Sequence, residues 1–176
     1  MKQFIFISVL MILISSCETK KSKTLSFARK PLETVKQEGI AIEVYNFENF
    51  KPFLNQKNDT TYVVNFWATW CVPCVKELPN FEKINEEYSN KKVKIILVSL
   101  DFANKIKTQL IPFIQKKGIK SKVILLNEPD ANSWISKIDK DWTGAVPATL
   151  IYNKNHRKFY SKPFTYNELK TEINNH

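Results

Sequence analysis

Four nearly continuous apolar runs most strongly limit the fold of this chain. They lie at Tyr62–Ala68, Val93–Leu100, Val123–Leu126 and Thr149–Tyr152. Runs of this kind, without alternation of apolar and polar residues, are typical of strands covered on both faces of a sheet. Helical patterns separate them, at Val72–Tyr88, Asn104–Lys117 and Asp130–Lys140. The alternation of strands and helices predicts an α/β fold around a central sheet.

The carboxyl-terminal part departs from this alternation. Thr149–Tyr152 and Lys158–Tyr160 flank a polar turn, which predicts a β-hairpin. An amphipathic stretch follows, Thr165–Ile173, in which Glu168 stands three positions after Thr165. This spacing is typical of a capping box and predicts a final helix.

The charge of the chain does not indicate a nucleic-acid-binding protein. The 176 residues include 27 Lys and Arg and carry a net charge of +10, but the lysines are dispersed and form no dense arm or stripe. We therefore expect a solvated basic surface and no nucleic-acid partner. If the excess charge has a role, it is attraction to anionic lipid headgroups or acidic partners. The scarcity of glycine, three residues, argues against a phosphate-binding loop.

The amino-terminal segment has the pattern of an export signal. Lys2 precedes an apolar run, Phe4–Ile14. As a helix this run rises about 16 Å, too little to span a hydrocarbon core of about 30 Å. Ile14-Ser15-Ser16-Cys17 resembles a bacterial lipobox, which implies a lipid on Cys17; an ordinary cleaved signal is the alternative. We predict a signal peptide at 1–16, a lipidated Cys17 with a flexible tether at 17–38, and a folded domain at 39–176.

Cys71 and Cys74 form a C-x-x-C pair directly after a predicted buried strand and at the start of a predicted helix. A zinc site would need two further ligands, and neither His156 nor His176 has a suitable spacing. A redox pair fits the position, because a helix amino terminus stabilises a thiolate by typically 0.3–1 kcal/mol and by up to about 2 kcal/mol. We expect no metal and no cofactor other than this redox-active pair.

The residues around the pair resemble those of a known family. Val64 to Pro79 closely resembles the active-site segment of TlpA-like (ResA-like) thioredoxins, a membrane-tethered branch that includes cytochrome c maturation reductases. Trp142 to Thr149 is similar to the cis-proline loop of that branch. The resemblance implies a thioredoxin-like fold, a mixed sheet flanked by helices. Residues from about Lys105 to Asp141 would form the extra helix and strand inserted in this branch.

The resemblance also implies roles for individual residues. Cys71 would attack the substrate, Cys74 would resolve the mixed disulfide, and Pro147 would be cis, with the Val146 backbone turned towards the substrate. Asn65 stands where many thioredoxins carry a buried acid, and Glu77 matches the glutamate implicated instead in the TlpA-like branch. Glu77 lies on the same helix face as Cys74; the alternative is a solvated residue beside Lys76.

The aromatic residues near the pair allow two interpretations. Trp67 and Trp70 could form a substrate platform, but we predict that Trp67 belongs to the core and that Trp70 forms a surface lip. Trp142 has the same ambiguity. Val72-Pro73 lacks the histidine found between the cysteines of strongly oxidising relatives, which favours reduction of other proteins.

Taken together, the sequence predicts a lipid-anchored thiol–disulfide oxidoreductase on the periplasmic side of a bacterial envelope membrane. It would reduce disulfides of exported proteins, apocytochrome c among the candidates, and would receive electrons from a membrane protein. We expect a monomer. The main alternative is a non-catalytic adaptor in which the C-x-x-C disulfide is structural. A peroxidase would need a Pro-x-x-x-Thr/Ser-x-x-Cys frame, which is absent before Cys71.

Overall fold

The predicted apolar runs form the centre of one mixed sheet in the computed structural model, which describes residues 30–175. The strands are β1 Glu33–Gln37, β2 Ile40–Tyr45, β3 Thr61–Trp67, β4 Val93–Ser99, β5 Lys122–Leu126, β6 Ala148–Tyr152 and β7 Arg157–Tyr160. Within that range the sheet has the order β1-β2-β5-β4-β3-β6-β7. The neighbours β2, β5, β4 and β3 run parallel to one another. Strand β1 is antiparallel to β2, β6 is antiparallel to β3, and β7 is antiparallel to β6.

Helices cover both faces of the sheet. They are α1 Phe47–Phe50, α2 Val72–Glu87, α3 Ile111–Lys117, α4 Ala131–Ile138 and α5 Tyr166–Asn174, with 3₁₀ turns at Lys51–Leu54 and Ala103–Lys105 and a π-helical turn at Ile106–Leu110. One apolar core lies beneath α2, α3 and α5, and a second lies beneath α1 and α4. The predicted capping box is confirmed, because Thr165 and Glu168 exchange hydrogen bonds at the start of α5.

Strand β3 separates the two cores and sets the direction of each of its side chains. Val64 and Phe66 pack in the core beneath α1 and α4, whereas Val63 and Trp67 pack in the core beneath α2, α3 and α5. Because successive residues of a strand point to opposite faces, Asn65 points to the α2 side. This alternation places one polar side chain behind the active-site helix.

The predicted insertion adds a strand to the middle of the sheet. Strand β5 lies between β2 and β4, with α3 before it and α4 after it in the chain. The single helix predicted for 104–117 begins instead with the 3₁₀ and π-helical turns. Pro112 accounts for the π-helical turn, because it has no N–H group for the Thr108 carbonyl and its ring does not fit against that carbonyl in a regular α-helix.

The tether predicted for 17–38 is wrong at its carboxyl-terminal end, because 33–37 form β1. This strand pairs with β2 in an antiparallel hairpin, with Val35 opposite Ile42. The two turn residues, Glu38 and Gly39, both have positive φ angles, 49° and 80°, as a tight hairpin turn requires. The folded domain therefore begins before residue 39.

The predicted signal peptide, Cys17 and the tether up to residue 29 lie outside the described residues, as does His176. Of the helices described between residues 30 and 175, none combines the length and the apolar character that crossing a bilayer requires.

Candidate active site

Cys71 occupies the N-cap position of α2. The chain leaves β3 through a tight turn in which the Cys71 N–H donates to the Ala68 carbonyl oxygen at 3.1 Å. The Cys71 backbone is extended, and its Sγ accepts a hydrogen bond from the Cys74 N–H at 3.3 Å. The proline at the second helical position, Pro73, has no N–H group to satisfy. In the reduced protein the same N–H and the helix dipole would stabilise a Cys71 thiolate.

Cys71 and Cys74 are joined by a disulfide bond. Cys71 retains 5 % of its accessible surface and Cys74 retains none. Of the two cysteines, only Cys71 therefore retains surface that an incoming thiol or disulfide can contact. This difference in access agrees with the roles that the resemblance implies, attack by Cys71 and resolution by Cys74.

The loop before β6 faces this disulfide. The Val146–Pro147 peptide bond is cis, as predicted. The Val146 carbonyl oxygen lies 3.6 Å from Cys71 Sγ; a sulfur in a disulfide has no hydrogen to donate, so this is a van der Waals contact. Trp142 stabilises the loop, because its Nε1–H donates a hydrogen bond to the Ala145 carbonyl oxygen at 2.8 Å.

Glu77 lies inside the protein, one helical turn beyond Cys74, with 2 % of its surface exposed. Its Oε1 accepts a hydrogen bond from Asn65 Nδ2 at 2.9 Å, and its Oε2 accepts one from the Phe164 N–H at 2.7 Å. The alternative of a solvated residue is therefore wrong. The carboxyl group joins α2 to β3 and to the segment before α5.

Burial raises the pKa of Glu77 to about 7, because desolvation disfavours the charged carboxylate. The hydrogen bonds from Phe164 and Asn65 act in the opposite direction and offset part of this rise. A carboxyl group with this pKa exchanges its proton near neutral pH, which is what a general acid or base of thiol chemistry requires.

Asn65 positions the Glu77 carboxyl group. Its Nδ2 is buried between Glu77 Oε1 and Thr149 Oγ1, which lies 3.1 Å away on the neighbouring strand β6. The sequence pattern identified Asn65 only as a residue that replaces a buried acid and cannot itself carry a proton. Alternation along β3 predicts that Asn65 faces the α2 side of the sheet, but no local pattern identifies Glu77 as its partner.

The tryptophans divide as predicted between core and surface. Trp67 is fully buried, whereas Trp70, next to Cys71, is 56 % exposed. Trp142 is buried, with its ring 4.9 Å from that of Phe66, which resolves its ambiguity in favour of a structural position. Trp70 therefore lies at the surface, next to Cys71 in the chain.

Sequence reasoning missed Asp101, which binds the turn before Cys71. Its carboxylate accepts hydrogen bonds from the Thr69 N–H and from Thr69 Oγ1. One signal was available, because Asp101 follows the end of the buried strand β4, and β4 is the parallel neighbour of β3. The carboxyl ends of adjacent parallel strands meet at the same edge of the sheet.

Comparison with known proteins gives matches over most of the described chain. Residues 35–157 match the AhpC/TSA family. The chain is 24% identical over 128 residues to the thiol-disulfide oxidoreductase ResA of Halalkalibacterium halodurans, an alignment covering 73% of this chain and 68% of ResA. It is 32% identical over 90 residues to the thioredoxin-like protein YneN of Bacillus subtilis, covering 45% of this chain and 52% of YneN.

A solved structure confirms the fold. The structure of StoA from Bacillus subtilis superposes with a TM-score of 0.53 at 21% identity, covering 82% of this chain and 93% of StoA. The structure of a thioredoxin family protein from Chlorobium tepidum superposes with a TM-score of 0.55 at 19% identity, covering 65% of this chain and 78% of that protein. The predicted thioredoxin-like fold, a mixed sheet flanked by helices, is therefore confirmed.

Proposed function

This chain belongs to the AhpC/TSA family, and we propose that it catalyses thiol–disulfide exchange through Cys71 and Cys74. The observation that carries the proposal is the cysteine pair at the start of α2, with the buried acid Glu77 one turn behind it. The relatives named as thiol-disulfide oxidoreductases support the same activity. A purely structural disulfide has no need of a buried carboxyl group that titrates near neutral pH.

In the proposed reaction the reduced protein transfers two electrons to a substrate disulfide. The Cys71 thiolate attacks one substrate sulfur, which breaks the substrate disulfide and releases the second substrate sulfur as a thiolate. Cys74 then loses its proton and attacks Cys71 Sγ, which forms the Cys71–Cys74 disulfide and releases the substrate as a dithiol. A reductant, proposed to be a membrane electron-donor protein, must then reduce the pair again.

Glu77 is proposed to accept the proton of Cys74 during the second step. It lies on the same face of α2 as Cys74, and Asn65 and Phe164 hold its carboxyl group in place. With a pKa of about 7, roughly half of the carboxyl groups are ionised at neutral pH.

Cys71 lies beside the Val146 carbonyl oxygen and Trp70, and both are proposed to contact the substrate. An extended substrate segment could donate a main-chain hydrogen bond to Val146 while its cysteine meets Cys71 Sγ. Trp70 would then cover the neighbouring residues of that segment. Pro147 is proposed to hold the loop in the orientation that presents this carbonyl group.

Two further parts of the proposal concern place and direction. The chain is proposed to act in the cell envelope, held to the membrane by a lipid on Cys17, because residues 14–17 resemble a lipobox. The direction is proposed to be reduction of exported proteins, with apocytochrome c among the candidate substrates. A reduction potential near that of thioredoxin, about −270 mV, would support this direction, and one near that of DsbA, about −120 mV, would contradict it.

A peroxidase is the other activity suggested by the family description, and the sequence argues against it. Val64 and Ala68 stand where the Pro-x-x-x-Thr/Ser-x-x-Cys frame would place its proline and its hydroxyl residue.

The reduction of insulin by dithiothreitol tests the proposed function. The wild type should accelerate precipitation and Cys71→Ser should not, whereas an adaptor or a peroxidase would leave the rate at that of dithiothreitol alone.

A further inference from the structure

Asp101 is a buried carboxylate that the proposed reaction does not use. Its side chain is 5 % exposed. The Thr69 N–H donates to both carboxylate oxygens at 3.2 and 3.1 Å, and Thr69 Oγ1–H donates to Oδ1 at 2.6 Å. Ser99 Oγ–H donates to Oδ2 at 2.8 Å. A buried carboxylate is stable only when donors surround it in this way, so the arrangement depends on Thr69 remaining in place.

Thr69 lies within the turn that delivers Cys71 to α2. The turn begins at Ala68, whose carbonyl oxygen accepts from the Cys71 N–H, and Thr69 and Trp70 are its two central residues. Gln109 Nε2 also donates to Thr69 Oγ1, at 2.8 Å. Asp101 therefore fixes, through Thr69, the residues that set the position of the Cys71 sulfur and of the exposed Trp70 ring.

We propose that Asp101 is a positioning residue for the redox pair, acting through Thr69 on the turn before Cys71. This inference rests on the proposed function for its significance. Without the carboxylate, the turn gains freedom and Cys71 spends less time with its sulfur at the Cys74 N–H, where the thiolate is stabilised. Cys71 should then react more slowly and require a higher pH to do so.

The test measures alkylation of reduced Cys71 by iodoacetamide as a function of pH in the full chain, with the modified cysteine identified by peptide mass spectrometry. Thr69→Val removes the hydroxyl donor and leaves the Asp101 charge in place. Any effect on Cys71 therefore comes from a change in the position of the turn. We expect Thr69→Val to lower the rate at pH 7 about tenfold and to move the midpoint of the pH profile upward. Thr69→Ser keeps the hydroxyl group and should recover the lost rate.

Two further variants complete the design. Thr34→Val makes the same chemical change on the exposed face of β1 and should leave the rate unchanged. Asp101→Asn weakens the same contact, so the combination with Thr69→Val should cost less than the sum of the two single effects. Should Asp101→Asn fail to fold, Thr69→Val alone decides the question.

An alkylation profile of Thr69→Val equal to that of the wild type would overturn the inference. So would a rate loss that Thr69→Ser does not recover. The measurement needs no substrate turnover, so it separates this inference from the proposed function. A wild type that does not reduce insulin would contradict the proposed function, and the effect of Thr69→Val on alkylation could still be measured.

Discussion

Asn65 Nδ2 donates a hydrogen bond to Glu77 Oε1 at 2.9 Å, which joins strand β3 to helix α2 inside the protein. The second carboxyl oxygen of Glu77 accepts from the Phe164 N–H, just before α5. One carboxyl group thus connects three elements while burial raises its pKa to about 7. This combination predicts effects on both stability and catalysis.

The first prediction concerns the stability of the oxidised protein, in which neither Cys71 nor Cys74 titrates. The pKa of Glu77 is higher in the folded protein than its ordinary value of 4.5, so the folded state binds more protons between these limits. Glu77 therefore adds to the free energy of unfolding at low pH. This contribution, roughly 3 kcal/mol at most, is lost as the pH rises from about 4.5 to about 7.

Urea unfolding at a series of pH values measures this effect. Relative to Glu77→Gln, the wild type should lose stability as the pH rises through that window and then remain level. Glu86→Gln changes an exposed glutamate of the same helix and should follow the wild type. Parallel curves for the wild type and Glu77→Gln would show that folding does not raise the pKa of Glu77, which would contradict the prediction.

The second prediction concerns Glu77 in the reduced protein. A carboxylate near two thiols disfavours their ionisation, so the three groups titrate as a coupled set. Glu77→Gln should therefore change the pH dependence of Cys71 alkylation and slow the release of substrate from the mixed disulfide, while the far-UV circular dichroism stays that of the wild type. An unchanged pH–rate profile would limit Glu77 to a structural role.

The third prediction compares two glycines with positive φ angles. A Cβ atom at Gly144 would lie 2.7 Å from Ile135 Cδ1, whereas one at Gly39 would meet nothing within 4 Å. Gly144→Ala should lower the free energy of unfolding by roughly 2 kcal/mol, because backbone strain is joined by the displacement of the flexible end of the Ile135 side chain. Gly39→Ala should cost about 1 kcal/mol, from strain alone, and equal losses in denaturant unfolding would contradict the packing described here.

The fourth prediction concerns the proposed anchor. Cys17→Ala should release the protein from the membrane fraction or leave its signal peptide uncleaved, because it removes the sulfur to which the proposed lipid would be attached. Fractionation followed by immunoblotting measures both outcomes. Equal membrane association of the wild type and Cys17→Ala, with the signal peptide removed from both, would contradict lipid on Cys17.

The sequence was sufficient for the buried centre of the fold and for the cysteine pair. Continuous apolar runs identify β3 to β6 because strands covered on both faces need no polar side, and the α5 capping box is a local pattern. The edge hairpin was missed because Glu33–Gln37 is mostly polar and exposed, so its place in the sheet depends on pairing with β2. Two local signals were available, the turn at Glu38 and Gly39 and the apolar, strand-like run Ile40–Tyr45 that follows it.

Contacts between distant residues explain what sequence reasoning missed in the site. Glu77 meets Asn65 and Phe164, which are 12 and 87 residues away in the chain, and no local pattern encodes such pairs. Asp101 likewise meets Thr69 across 32 residues. The family resemblance singled out Glu77, but only the packing of α2 against β3 shows how its carboxyl group is held.

The central claim is that Cys71 is the nucleophile of a redox pair that Cys74 resolves. Trapping of mixed disulfides with a disulfide-bonded protein such as insulin, followed by peptide mass spectrometry, tests it most directly. Cys74→Ser should accumulate substrate attached to Cys71, because the attacking sulfur remains and the resolving sulfur is gone. Cys71→Ser should trap little, since Cys74 is fully buried. Adducts found mainly on Cys74, or none in either variant, would contradict the account.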